Sequence, residues 1–444
     1  MPPDARRPSL GLAACTAIVI GNMVGSGFYL SPAAVAPYGV LAIVFWIVMG
    51  AGAMCLGLTF ARLARRMPAT GGPYAYTRAA YGDFAGFIVA WGYWISIWAS
   101  LPLIAAAFTG SVVELMPALQ GNRIAAIAIT LGAIWLVTCA NLLGVKEAGL
   151  FAEITTYAKL VPFAAIAVLG LPFVRLAQFP EFNPSGESLL AASAALAPLT
   201  MFAYLGLESA TVPAGDVRDP ERTIPRSTIL GISVAGLLYV LGTIVVLGVL
   251  PRARLVNSVA PFAEAARVMW GGWAGGVISV AVMISSIGAL NGWTLLMGQV
   301  PMAAARDNLF PQVFGQLSSR GVPALGIVLS AALATGLVLI QTAGASGFAA
   351  VYATLVGLAT MTAVIPYVFC SLADGLISTR ESGGALPRIG VVEAVGFIFA
   401  IFTVYGCGPS PVMWGLLLLL VGIPVYVWQR HERPGPPVAA HRLG

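Results

Sequence analysis

Apolar residues run along this chain in long segments separated by short polar punctuation. Twelve segments approach the roughly 20 residues needed to cross a bilayer: 10–33, 41–62, 84–112, 123–143, 149–173, 189–212, 228–250, 273–302, 323–341, 348–374, 389–406 and 410–429. The pattern predicts an all-α membrane protein with 12 transmembrane helices. The first segment is too long for a cleaved signal and is followed at once by another span. Two segments are broken from within. One reads Gly21-Asn22-Met23-Val24-Gly25-Ser26-Gly27, the other Tyr204-Leu205-Gly206-Leu207-Glu208-Ser209-Ala210. A helix break in hydrocarbon strands backbone N–H and C=O groups, so it is tolerated only against protein or a water-filled cavity. Paired breaks in two halves of a polytopic chain point to a transporter's substrate site. Residues 10–173 and 189–374 then form two five-helix repeats, each opening on a broken helix. An odd number of spans inverts the second repeat relative to the first. Helices 11 and 12 (389–429) fall outside the repeat, flanked by termini at 1–9 and 430–444.

Composition supports this reading. The chain is 59% hydrophobic and 9% charged, against about 25% charged in soluble domains. Placing both termini in the cytoplasm puts 17 of the 23 Lys and Arg residues on that side, a positive-inside bias. The net charge of +6 therefore reports orientation in an inner membrane rather than affinity for nucleic acid. The five cysteines fall in or at the ends of spans and read as small buried apolar residues, with no disulfide expected. The loops at 63–83 and 303–323 interleave aromatics with charge and suit short surface helices, whereas 213–227 reads as a loop before the seventh span.

Few residues in the spans carry chemistry. Gly21 and Gly25 form a GxxxG pair that by itself suits helix packing. Asn22, Ser26 and Gly27 add polarity and a second flexible point. A half-helix starting there presents free N–H groups and partial positive charge to a substrate carboxylate. Glu208 sits mid-span, where a carboxylate costs at least ~2.5 kcal/mol. It is either a structural acid bonded to nearby backbone or a proton-sensing gate at the second break. Lys159 lies near the middle of the fifth segment, about ten residues from its start. It snorkels, or it points into the bundle where its ammonium stands in for a sodium ion. Trp293 in Asn291-Gly292-Trp293 is too deep for an interfacial belt and is expected to interrupt the eighth span, free to close over a cation. Glu393 reads as structural. Both histidines, His431 and His441, lie in the tail, and metal-ligand spacing, a Walker loop and a Gly-x-Ser-x-Gly elbow are all missing from the sequence. No cofactor is expected, and the chemistry is that of secondary transport rather than an enzyme or an open channel.

The motifs resemble the amino acid–polyamine–organocation superfamily over residues 8–430. They are Gly-Asn-x-x-Gly-Ser-Gly at 21–27, Gly-Gly-x-Tyr-x-Tyr at 71–76, Tyr93-Trp94, Gly-x-Glu-Ser-Ala at 206–210, Asp-Pro-Glu-Arg-x-x-Pro at 219–225, Gly-Trp-Thr-Leu-Leu at 292–296 and Pro366-Tyr367. Within the superfamily the chain is most similar to basic amino acid/polyamine antiporters of the arginine/agmatine kind. The resemblance implies a LeuT-like 5+5 inverted repeat with broken helices 1 and 6, alternating access, antiport of an amino acid against an amine with sensitivity to protons, and a homodimer in the bilayer. It implies substrate binding by Asn22, Met23, Gly25, Ser26, Gly27, Ser96, Phe202, Ala203, Leu205 and Trp293. Gating and proton sensing fall to Tyr93, Glu208 and Tyr367, with Lys159 a further proton or cation site. The chain also departs from that group. Phe202 stands for a gating tryptophan, Leu101 for an asparagine that selects arginine, and Tyr352 for a gating phenylalanine. Lys159 is similar to a lysine of proton-coupled permeases and neutral amino acid exchangers elsewhere in the superfamily. A proton-coupled permease of neutral amino acids therefore stands beside the antiporter.

Overall fold

The computed structural model describes residues 10–67, 72–144, 160–211, 214, 217–343, 348–383 and 389–432. Among them the elements are helical, and the only extended pairing is an isolated bridge between Leu10 and Val217. The first expected span is α1 (Leu12–Met23), a bend, then two short turns, α2 (Ser26–Tyr29) and α3 (Ser31–Val35). There follow α4 (Leu41–Arg66), α5 (Pro73–Tyr81), α6 (Asp83–Leu115), α7 (Arg123–Leu142) and α8 (Leu160–Leu169). The second half holds α9 (Leu189–Tyr204), α10 (Pro220–Val249), α11 (Arg252–Leu255), α12 (Pro261–Trp270), α13 (Gly272–Arg306), α14 (Ala324–Ala343) and α15 (Phe348–Ser382). Two helices, α16 (Val391–Gly406) and α17 (Pro409–Glu432), close the described chain. Among the described residues, eight helical segments are long and apolar enough to cross a membrane, and four apolar helices are shorter.

These helices are apolar on nearly every face, so burial must be divided between protein and lipid. α6 and α15 form the interior, while α7 and α17 show most of their surface outward. Ile47, Val48, Leu136, Ile398 and Val421 are exposed large apolar side chains of the kind a bilayer covers. α6 packs along α13 and α15, and α4 along α10. The two broken segments, α1–α2 and α9, lie within this arrangement, with α1 against α10 and α2 against α6 and α9.

Several expectations are corrected. The stretch Asp219-Pro220-Glu221-Arg222 is the start of α10 rather than loop. Pro220 takes the first helical position, where its missing N–H costs nothing, and the Thr223 N–H donates to the Asp219 carbonyl at 2.9 Å. Trp293 does not interrupt its span, because α13 runs helically through Asn291-Gly292-Trp293. The Asn291 side chain is instead taken up by Asn141 of α7, whose amide donates to it at 2.8 Å. Of the cysteines, Cys15, Cys370 and Cys407 are buried, but Cys55 is half-buried and Cys139 exposed, since the outward faces of α4 and α7 are apolar surfaces that accept a thiol as readily as the core does. The segment 63–83 holds a short helix, α5, and five of its nine residues are buried against the bundle. Lys159 lies outside the described residues.

Candidate functional site

The two breaks meet at the centre of the bundle. α1 ends at Met23, where Val24 and Gly25 leave the helical path, and the N–H groups of Phe28 and Tyr29 bond back to the Gly25 carbonyl at 3.0 and 3.1 Å. The N–H groups of Ser26 and Gly27 are therefore first-turn donors that no carbonyl of α2 can accept. Ser26 is described by its backbone alone. The second break follows Tyr204. Gly206 has φ +96°, and a Cβ there would lie 2.9 Å from the Asn22 Cβ. Gly27 answers from the other side: a Cβ on it would stand 2.9 Å from the Ala203 Cα. Each glycine lets the opposite break approach. The contact is tied by Asn22, whose amide donates to the Ser209 hydroxyl at 2.8 Å, while that hydroxyl donates to the Gly206 carbonyl at 2.5 Å.

A cavity of about 20 Å³ lies between the breaks, bounded by Asn22, Met23, Gly25, Gly27, Phe202 and Leu205, by Trp293 and Ala289 of α13, and by Ser100 and Ile104 of α6. It has room for about one water and none for an amino acid, so this conformation is closed. Ser96 and Ala203, expected at the site, are buried but outside this lining. The Ser96 hydroxyl donates to the Tyr93 carbonyl at 2.7 Å. Leu101 is likewise fully buried outside the lining. Sequence reasoning missed Ser100, Ile104 and Ala289. Ser96, Ser100 and Ile104 recur at four-residue steps along α6, and that spacing was the available signal.

Toward the end where α6 begins, Glu208 is 1% exposed and held at both oxygens. The Tyr93 hydroxyl donates to Oε1 at 2.9 Å and the Tyr367 hydroxyl to Oε2 at 2.5 Å. Phe60 of α4 meets the Tyr367 ring edge-on at 5.4 Å. Two of the residues that the resemblance suggests as gates thus converge on Glu208. Toward the other end, Phe28 and Tyr29 enter an aromatic cluster with Phe163, Tyr239 and Phe262, Phe28 lying 4.6 Å from Phe262 and Tyr29 stacking on Phe163 at 4.5 Å. Tyr29 also hydrogen-bonds Ser285 of α13. Tyr352, on α15, is buried.

Ion pairs sit near the two ends of the bundle. At the α6 start, Arg78 of α5 reaches Asp83 at 2.8 Å and Asp307 at 3.2 Å, and the Tyr74 hydroxyl donates to Asp307 at 2.5 Å. Burial and then the Asp307 carboxylate push the Tyr74 phenol upward, keeping it a donor. At the same end Arg62 pairs with Glu393, and Arg66 with Asp374 at 2.8 Å and Glu381 at 2.9 Å. Opposite, Arg254 pairs with Glu264 at 2.7 Å and Arg267 with Glu114. Glu393 is therefore a paired acid joining α16 to α4. Among the described residues no group of three His, Cys, Asp or Glu side chains gathers into a site able to hold a metal.

The family model for "Amino acid permease" matches residues 10–424. The chain is 31% identical over 441 residues to the cadaverine/lysine antiporter of Escherichia coli strain K12, covering 97% of each chain. It is 27% identical to the putrescine transporter PotE of the same strain, covering 95% of this chain and 96% of the relative. The PotE protein of Haemophilus influenzae is also 27% identical, at 95% and 97% coverage.

Proposed function

The chain belongs to the amino acid permease family, in its basic amino acid/polyamine antiporter branch, as a multi-pass membrane transporter rather than an enzyme, and we propose that it exchanges a basic amino acid for the corresponding decarboxylated amine. The observation that carries the proposal is the meeting of the two breaks around one closed cavity with Glu208 directly beyond it. In this reading twelve helices form a LeuT-like 5+5 inverted repeat, with both termini cytoplasmic. The Ser26 and Gly27 N–H groups and Asn22 receive the carboxylate and amine common to amino acids. Met23, Gly25, Phe202 and Leu205 shape the pocket with Ser100 and Ile104, Ser96 and Ala203 support it from behind, and Trp293 attracts the distal cation through its ring face. Glu208 exchanges a proton when Tyr93 and Tyr367 release it, which couples transport to pH. Lys159 is a second candidate for that coupling. A homodimer is part of the proposal, but the exchange cycle needs only one chain.

The names of the relatives put lysine with cadaverine, and putrescine, beside arginine with agmatine on the substrate panel. Counterflow into proteoliposomes is the test. Labelled lysine, arginine, cadaverine, agmatine or putrescine is expected to enter only when unlabelled substrate is inside. No counterflow of any of them refutes the proposal. A second reading, a proton-coupled permease of neutral amino acids, is favoured by one observation: among the described residues the cavity lining holds no carboxylate to meet a distal amine. Uptake of neutral amino acids into vesicles empty of substrate, driven by a pH gradient alone, selects that reading.

A further inference from the structure

A second cavity, of about 460 Å³, opens between α6, α7, α14 and α15, on the outward side of the bundle and away from the breaks. Its volume falls in the range of ligand cavities, about 300–1,000 Å³. Pro102, Ala106 and Val113 of α6, Ile127 of α7, Val338 of α14 and Leu355 of α15 form apolar walls. The hydroxyls within reach are already engaged. Thr109 and Thr130 bond each other at 2.8 Å, and Thr342 donates to the Val338 carbonyl at 2.7 Å. Water entering there finds few partners, and a polar ligand gains little. Hydrocarbon suits the walls. The mouth differs: Asn122 and Arg123 stand on it at the first turn of α7, both exposed, where a span meets the headgroup layer. A cation at the boundary above an apolar slot complements a lipid that carries a phosphate over an acyl chain.

We propose that this cavity holds one acyl chain of an anionic phospholipid, with its phosphate against Arg123. The position gives the lipid a lever on the site. Pro102, Ala106, Thr109 and Val113 form one stripe of α6, and Ser100 and Ile104, which line the central cavity, lie on the opposite stripe. Pro102 lacks the N–H that would bond the Trp98 carbonyl, so α6 is softest at the level of Ser100. A chain in the slot braces α6 there from behind.

The test uses the full chain, stripped of lipid in detergent and titrated with dioleoyl phosphatidylglycerol or dioleoyl phosphatidylcholine, with bound lipids counted by native mass spectrometry. One site is expected to favour phosphatidylglycerol about fivefold. Arg123→Gln should erase that preference and keep chain binding. Ala106→Phe, which fills the slot, should lose both lipids. Ile127→Trp fills it from another helix and serves if Ala106→Phe does not fold. Phosphatidylglycerol with a photoreactive group in its chain should crosslink to residues 102–113 and 126–130. Equal affinity for the two lipids, binding unchanged by both filling variants, or crosslinks confined elsewhere overturns the proposal. So does a chain dimer lost on Ile127→Trp without any change in lipid binding, which would assign the slot to a second copy. None of these readouts depends on the transported substrate.

Discussion

The glycines of the two breaks offer a graded test, because the space around each differs. At Gly206 an added methyl meets two problems. The backbone sits at φ +96°, and the new Cβ would lie 2.9 Å from the Asn22 Cβ and 3.2 Å from the Ser209 hydroxyl. An L side chain in a left-handed conformation costs about 1–2 kcal/mol, and overpacking a filled interior adds about 1–3 kcal/mol. Gly206→Ala is therefore expected to cost about 2–5 kcal/mol. At Gly27 the backbone is ordinary, but the methyl would press on Ala203 main-chain atoms at 2.9 and 3.0 Å, which cannot step aside as a side chain can. Overpacking alone predicts about 1–3 kcal/mol. At Gly25 the nearest atom is the Ala289 Cβ at 3.9 Å, an ordinary contact, so Gly25→Ala should fall within about 0.5 kcal/mol of the parent. The assay is the unfolding midpoint of each purified variant in one detergent, beside counterflow in proteoliposomes. The expected order of damage is Gly206, then Gly27, then Gly25. Were Gly25→Ala as harmful as Gly27→Ala, simple GxxxG packing would explain the first break better than contact between the two breaks. A silent Gly206→Ala refutes the argument outright.

Three further outcomes follow from the same geometry. Glu208→Gln keeps one tyrosine donor bond, the other tyrosine turning to accept from the new amide, but cannot exchange a proton, so counterflow should lose its dependence on pH while substrate still raises the unfolding midpoint; an unchanged pH profile assigns the coupling elsewhere. Trp293→Ala should weaken a cationic substrate by the ring's share, about 0.5–2 kcal/mol or roughly 2- to 30-fold in Kd, while Trp293→Phe recovers part of it; equal losses for both variants would count against a ring–cation contact. Arg62→Met strands the buried Glu393 carboxylate and is expected to cost about 1–3 kcal/mol, with Arg62→Met/Glu393→Gln recovering much of the loss; additive losses in thermal unfolding would show that the pair is not coupled.

What the sequence made legible follows from contrast. Glycine and asparagine inside apolar runs stand out, so both breaks and Glu208 could be placed from residue pattern alone. Pro220 at the head of a helix carried an equally readable start signal, yet the charge around it suggested a loop. The reverse error occurred at Trp293. A glycine costs a helix about 1 kcal/mol, which the packing of α13 along α6 absorbs, and the polar Asn291 found Asn141 on another helix. Ser100, Ile104 and Ala289 had no contrast to offer, being small or apolar among residues of the same kind. Pairs such as Arg62 with Glu393 are 331 positions apart and depend wholly on how the helices are arranged. Tyr93 and Tyr367 were indicated by family resemblance, since a tyrosine in a span is ordinarily packing; their shared carboxylate is what distinguishes them here.

The closed cavity also constrains how selection can work. With about 20 Å³ available, substrate entry requires its walls to separate. The groups that bound it belong to the two breaks, to α13 and to α6, and the two breaks are tied by the side-chain bond of Asn22 to Ser209. That bond is worth about 0.5–1.5 kcal/mol, and the close approach of Gly27 to Ala203 joins the breaks at a second point. The breaks are thus better suited to remain together while neighbouring helices move. α6 carries Tyr93, Ser100 and Ile104 in one continuous helix with Pro102 between the last two, where a backbone hydrogen bond is missing, so it is a wall with a built-in point of bending next to the cavity. Under the proposed exchange, selection among side chains would fall to α6 and to Trp293, and the breaks would hold what all amino acids share. Ser100→Ala and Ile104→Ala should shift the ratio of substrates exchanged, and Asn22→Ala should weaken all of them together. If Asn22→Ala instead changed the substrate ratio in a competition counterflow assay, that division of labour would be wrong.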